Sequence, residues 1–215
     1  MSAFLLGDII FALAWILLFI FFKKTRKLQL FGSLLLVPFG FLDIWFRQNY
    51  WHPPVLIKAI EPLSIETIIY CFSAGGIASV FGGLFLKDNQ KLKKIEFGKL
   101  ILFFVVAFGF YAIFQWLIKV NSMNAPNFSF LFIWLAILIR DIKKYWLSII
   151  PGIIVAAFTI LAVNIGLYFY PNFVAQYWNL NHTWPLFLCT PSEEIFFAFV
   201  LASLWTLLPG YLRKK

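Results

Sequence analysis

Long apolar runs alternate along this chain with short clusters of charge. The first run, Ala3–Phe22, stops at Lys23-Lys24-Thr25-Arg26-Lys27. The second, Leu28–Phe46, holds Pro38 and Gly40, and an amphipathic stretch, Arg47–Ile65, follows it. The third, Glu66–Leu86, carries Gly75-Gly76 and Gly82-Gly83, where helices can approach closely. A basic loop, Lys87–Lys99, leads to the fourth run, Leu100–Ile118. The fifth, Asn127–Ile139, is short, and its helix is expected to begin near Met123. After the basic turn Arg140–Lys144 comes Trp146–Tyr170, then a polar aromatic stretch, Pro171–Thr190, and a last run, Glu193–Leu212. Most runs approach the roughly 20 residues that cross a bilayer. Backbone groups in lipid must be satisfied internally, so each span is expected to be helical. The pattern predicts an all-α, polytopic bundle of about seven transmembrane helices.

Composition agrees. Hydrophobic residues make up 62% of the 215 and charged residues 13%, against about 45–50% and about 25% in soluble domains. A formal charge of +9 would suit nucleic acid, but its placement points elsewhere. With the N-terminus outside, fifteen of the eighteen Lys and Arg fall on the cytoplasmic side. Only Arg47, Lys58 and Lys119 then lie outside. This is the positive-inside bias, and it implies an N-out, C-in, multi-pass protein of the cell membrane. Basic loops beside anionic lipid head groups account for the charge, with no nucleic-acid partner. The first run lacks a basic leader and a small-residue cleavage site and is expected to be a retained helix. Cys71 and Cys189 both map near the outer face, where a disulfide and two packed thiols are the alternatives. The oligomeric state is not legible.

The chain repeats itself. Tyr50-Trp51 aligns with Tyr177-Trp178, and fifteen residues after each Trp stands a glutamate, Glu66 and Glu193. The segment Glu66–Phe72 then matches Glu193–Phe199, and upstream each half has a Trp-bearing run (Trp15, Trp134) and a Pro-bearing run (Pro38, Pro151). We expect tandem three-helix repeats, residues 1–86 and 123–215, joined by a basic loop and a linker helix, residues 87–122. Such repeats share one orientation, related by an axis along the membrane normal. The expectation rests on the Trp-to-Glu spacing and on shared topology.

Ionisable groups within membrane spans are costly and suggest function. Asp88, Glu96 and Asp141 fall in cytoplasmic loops; Asp8, Asp43, Glu61, Glu66, Glu193 and Glu194 fall at outer helix ends or outer stretches. Asp8 and Asp43 lie slightly deeper. Capping competes with catalysis here: Thr190-Pro191-Ser192-Glu193 reads as a capping box with Pro at the first helical position. Carboxylates in a first turn also complement the helix dipole. The outer aromatic residues, among them Trp45, Tyr50, Trp51, Tyr177, Trp178 and Trp184, read mostly as an interfacial belt. Some of them are candidates to face a cation with their π-systems. His52 and His182 fall in outer stretches and supply no metal site.

At Pro191-Ser192-Glu193-Glu194-Ile195-Phe196-Phe197 the chain resembles the membrane-embedded lycopene cyclases of the heterodimeric or fused type. Trp178 and, in the first half, Trp51, Glu66 and Asp43 fit the same pattern. The first half departs from it, reading Pro62-Leu63-Ser64-Ile65-Glu66 with a single glutamate. The resemblance implies a cofactor-independent isomerisation of a hydrophobic polyene in the bilayer. A carboxylic acid protonates the terminal alkene of a linear carotenoid, a second alkene closes a ring, and a proton leaves. It implies Glu194 or Glu193 as the acid, Glu66 as its partner and Asp43 as a further candidate. Trp51, Trp178, Tyr70 and Phe197 would contact the substrate. A hydratase of the same superfamily would trap the cation with water. No Gly-x-Gly-x-x-Gly follows a strand, so a flavin enzyme is not supported. The last run lacks the lysine of a retinal protein, and no arginine follows the paired glutamates as in a prenyl protease. A parallel-repeat transporter or small-ligand-binding membrane protein is the rival from a different class, with Gln115 and Asn164 as its candidate polar residues.

Overall fold

The computed structural model describes residues 3–52, 58–60, 63–86, 94–180 and 183–213. Glu61, Lys87, Asp88, Lys91, Lys93, His182, Lys214 and Lys215 lie outside the described residues. Each apolar run has become a helix. The elements are α1 (Ala3–Phe21), α2 (Arg26–Leu36), α3 (Asp43–Asn49), α4 (Ile65–Phe85), α5 (Phe97–Ala112), α6 (Asn124–Arg140), α7 (Ile142–Tyr145), α8 (Ile149–Phe169), α9 (Phe173–Tyr177) and α10 (Ser192–Leu212). Among the described residues, five helical stretches are long and apolar enough to cross a membrane: Lys23–Asn49, Ile65–Phe85, Phe97–Leu117, Trp146–Phe169 and Ser192–Leu212. Leu5–Phe21 and Asn124–Arg140 are shorter apolar helices.

α4 and α10 form the centre. α4 packs on α1, α2, α8 and α10, and α10 packs on α4, α6 and α8. Small residues allow this. A Cβ at Gly75 would stand 2.4 Å from the Gly32 carbonyl oxygen, and one at Gly82 would stand 2.7 Å from the Thr206 backbone. Trp205, fully buried on α10, donates from its indole to the Gly32 carbonyl at 3.1 Å. α5 lies outermost, with only 17% of its apolar window buried.

Several contacts come in like pairs. Trp15 donates to Ser33 Oγ at 2.9 Å, and Trp134 donates to Ser148 Oγ at 3.0 Å. Trp15 packs against Phe72, and Trp134 against Phe199. A short hairpin precedes each glutamate-bearing helix: β1 (Lys58–Ile60) with β2 (Leu63–Ser64) before α4, and β3 (Leu186–Phe187) with β4 (Thr190–Pro191) before α10. The sequence pattern predicted no strands, and these lie outside the spans.

Pro38 shapes the second span. It lacks an N–H and cannot continue an α-helix unperturbed. The backbone tightens into a 3₁₀ segment over Val37–Leu42, and α3 restarts at Asp43. One open alternative is settled and one expectation is corrected. Cys71 and Cys189 are free thiols, one buried and one exposed, so no disulfide joins them. The Thr190–Glu193 capping box does not form: the helix begins at Ser192, Pro191 occupies the N-cap, and no side chain caps it. At α4 a cap does form, with Ser64 Oγ accepting the Thr67 N–H at 3.1 Å.

Candidate functional site

A cavity of about 130 Å³ opens between the two halves of the chain. It has room for on the order of ten water-sized groups. α1 lends Gly7, Asp8 and Phe11, and the Pro38 bend with α3 lends Phe39, Leu42, Asp43 and Phe46. α4 adds Thr67, Tyr70 and Cys71; α8 adds Thr159, Ala162, Val163 and Gly166; α10 adds Glu194 and Phe197. Tyr50, Trp51, Met123, Phe130, Phe173 and Trp178 complete much of the wall. Carbon surface dominates it. Three carboxyl groups interrupt it, those of Asp8, Asp43 and Glu194.

Two tryptophans hold two of these acids. The Trp51 indole donates to Asp43 Oδ1 at 3.0 Å, and the Trp178 indole donates to Glu194 Oε1 at 3.2 Å. The two indoles lie 5.7 Å apart, tilted by 52°. Their backbones pair as well: Trp51 and Trp178 form an antiparallel bridge. His52 N–H donates to the Tyr177 carbonyl at 2.7 Å and Asn179 N–H to the Tyr50 carbonyl at 2.9 Å. The duplicated Tyr-Trp dipeptides therefore clasp one another beside the cavity.

Asp43 is the most heavily bonded acid. Its Oδ2 accepts Arg47 Nε–H at 2.6 Å and the Thr67 hydroxyl at 2.8 Å. The i,i+4 spacing sets Arg47 on the same face of α3. These donors fix the orientation of the Asp43 carboxyl group. Tyr50 lies beside Glu194 and Trp178. Burial, reinforced by Glu194 and Glu193, raises its hydroxyl well above the ordinary tyrosine range, so it stays a neutral phenol.

Asp43, Glu194, Trp51, Trp178, Tyr70 and Phe197 thus share one cavity, whereas Glu66 and Glu193 do not line it. Glu66 is buried one position before the cavity-lining Thr67, within electrostatic range of Asp8. Glu193 faces the outer loop, where its carboxylate accepts the Trp184 backbone N–H. Its carbonyl accepts the Asn127 side chain at 3.2 Å. Among the rival's candidates, Asn164 bonds the Ile160 and Leu188 carbonyls and does not face the cavity. Sequence reasoning left Asp8 out of the site, although its signal was present: a lone carboxylate inside an apolar run. No group of His, Cys, Asp and Glu among the described residues could hold a metal ion. No protein-family model, curated protein or solved structure matches this chain.

Proposed function

We propose that this protein cyclises an end group of a linear carotenoid within the membrane, without a cofactor. The observation that carries the proposal is the cavity itself: a mostly apolar chamber lined by three carboxyl groups and two indoles, with the hydroxyls of Tyr50, Thr67, Tyr70 and Thr159 beside them. A polyene end group enters as hydrocarbon. One carboxyl group protonates its terminal alkene, leaving a tertiary cation. The electrons of a second alkene form the ring bond and move the positive charge into the ring. A ring C–H bond then breaks, its electrons form a ring double bond, and its proton goes to a carboxylate. Substrate and product have the same formula.

The chamber suits each requirement. Cations are favoured over aromatic faces, and Trp51, Trp178 and Tyr70 line the space. Preorganised oxygen dipoles stabilise developing positive charge in a site that excludes water, and the Asp43 carboxyl group, held by Arg47, Trp51 and Thr67, supplies them. Acid–base transfer needs donor and acceptor within reach of the substrate, and Glu194 lines the same cavity. Of the two adjacent glutamates, Glu194 is the one assigned chemistry; Glu193 is assigned to the loop.

The architecture proposed with it is seven spans, N-out and C-in, built from two three-helix repeats. Its support is the matching bonds of Trp15 to Ser33 and of Trp134 to Ser148, and the reciprocal clasp of Trp51 with Trp178. The clasp joins equivalent residues of the two proposed repeats, as a twofold axis along the membrane normal would require. One observation favours a second reading. The span Lys23–Asn49 is broken at Pro38 beside the cavity, as in transporters that bind substrate at interrupted helices.

Expression in cells that accumulate lycopene, followed by pigment analysis, tests the proposal. Cyclic pigment is expected from the parent, about tenfold less or lower from Glu194→Gln, and a similar loss from Asp43→Asn. Hydroxylated acyclic pigment would instead indicate the hydratase. A parent that leaves lycopene unchanged would remove the cyclase reading and leave the binding or transport one.

A further inference from the structure

Asp8 belongs to no role read from the sequence. It stands five residues into α1, about 8 Å along the helix axis. It is 3% exposed and lines the cavity. Its Oδ2 meets no hydrogen-bond partner among the described residues. The other two acids of the cavity are housed differently. Asp43 accepts from Arg47, Trp51 and Thr67, and Glu194 accepts from Trp178. An ionised carboxylate only accepts, so donors directed at it match that form; a neutral carboxyl carries its own donor. Asp8 is the acid whose Oδ2 no donor engages.

On the cyclase reading above, we infer that Asp8 supplies the proton that starts ring closure, with Asp43 as fixed counter-ion and Glu194 as the final proton acceptor. The Asp8 O–H bond breaks as its proton bonds to the terminal alkene carbon, leaving the Asp8 carboxylate and a tertiary cation. After ring closure, a ring C–H bond gives its proton to Glu194 and its electrons to the new double bond. Tyr70 lines the same space within electrostatic range of both Asp8 and Glu194. Its hydroxyl resets the site, passing its proton to Asp8 and taking one from Glu194. No oxidant or reductant is consumed.

The second half of the chain supplies the contrast. Asp8 stands seven residues before Trp15, and Asn127 stands seven before Trp134. Asn127 is fully buried, donates to the Glu193 carbonyl and does not line the cavity. An amide is therefore accommodated at this kind of helix position, which makes Asp8→Asn a fair test.

The test uses full-length protein in phosphatidylcholine vesicles loaded with lycopene. It follows the first turnover and steady-state cyclisation. In parallel it measures the affinity of N,N-dimethyldodecylamine, an apolar ammonium that mimics the cation. Asp8→Asn is expected to slow the first turnover about a hundredfold while amine affinity stays within about threefold of the parent. Asp8→Glu is expected to recover a measurable part of the rate. Glu194→Gln is expected to weaken the amine more than Asp8→Asn does, and Tyr70→Phe to slow later turnovers more than the first. An Asp8→Asn protein that keeps its first turnover within about tenfold of the parent overturns the assignment. So does one that loses amine binding in step with turnover, because Asp8 then serves the structure. A parent that forms no cyclic pigment overturns the cyclase reading itself, and the donor role falls with it; loss confined to Asp8 variants separates the two cases.

Discussion

At the scale of residues, the neighbours Glu193 and Glu194 have separate fates. Adjacent helical positions point about 100° apart, so one faces the cavity and its neighbour faces the loop. Glu193→Gln should therefore keep turnover and lower thermal stability by roughly 1 kcal/mol, read from melting of the purified protein. Sequence exposed the pair and its importance but not its division of labour, because either residue could have taken either direction. Arg47 makes a sharper case. Arg47→Leu leaves Asp43 buried without its cation, and such losses cost about 3–5 kcal/mol. Its melting temperature should fall well below that of Trp15→Phe, which forfeits the bond to Ser33 and part of the ring packing on Phe19 and Phe72. Trp15→Phe should also retain parental pigment conversion, since Trp15 does not line the cavity.

At the scale of elements, the helices were legible and the strands were not. Apolar runs ended by lysines and arginines announce spans directly, and Pro38 announces where the second one breaks. The β3–β4 hairpin carries no such announcement. Its two turn residues, Leu188 and Cys189, adopt φ of 48° and 60°. Tight hairpins of this hand ordinarily use Asn-Gly, so the chain gives no turn signal there. The left-handed conformation costs an L-residue about 1–2 kcal/mol. Cys189→Gly should therefore raise thermal stability by about 1 kcal/mol with the hairpin intact. Packing between helices makes the opposite prediction. Gly75→Ala would drive a methyl group into the Gly32 carbonyl and should destabilise by about 1–3 kcal/mol. Gly109→Ala, where the added carbon meets nothing within 4 Å, should be neutral or slightly stabilising.

At the scale of the whole molecule, the two ends of the bundle are tied differently. At one end the Trp51–Trp178 bridge closes over the cavity. At the other, Ile95 bridges Arg213, Glu96 N–H donates to the Leu212 carbonyl at 2.8 Å, and Lys99 reaches the Arg213 carbonyl. Among the described residues Lys94, Lys99 and Arg213 stand at this second end, which the proposed orientation makes the cytoplasmic face. Exposed Cys189 then lies outside and buried Cys71 does not react. A membrane-impermeant maleimide added to intact cells should label the parent and fail to label Cys189→Ser. Labelling only after lysis would reverse the proposed orientation. What the sequence could not supply at this scale was the convergence of Asp8, Asp43 and Glu194. They come from three helices far apart in the chain, and no periodicity encodes which faces meet.

α5 is exposed over most of its surface and buries little beyond Phe103, Ala107 and Tyr111. In the proposed orientation its contribution is parity. A unit with an odd number of crossings, followed directly by a copy of itself, would leave the copy upside down; one extra crossing turns it upright. Selection on such a helix would act on its presence and span more than on its spelling. Exchanging its lipid-facing letters for leucines should be tolerated, whereas excising it should strand Trp51 and Trp178 on opposite sides of the membrane.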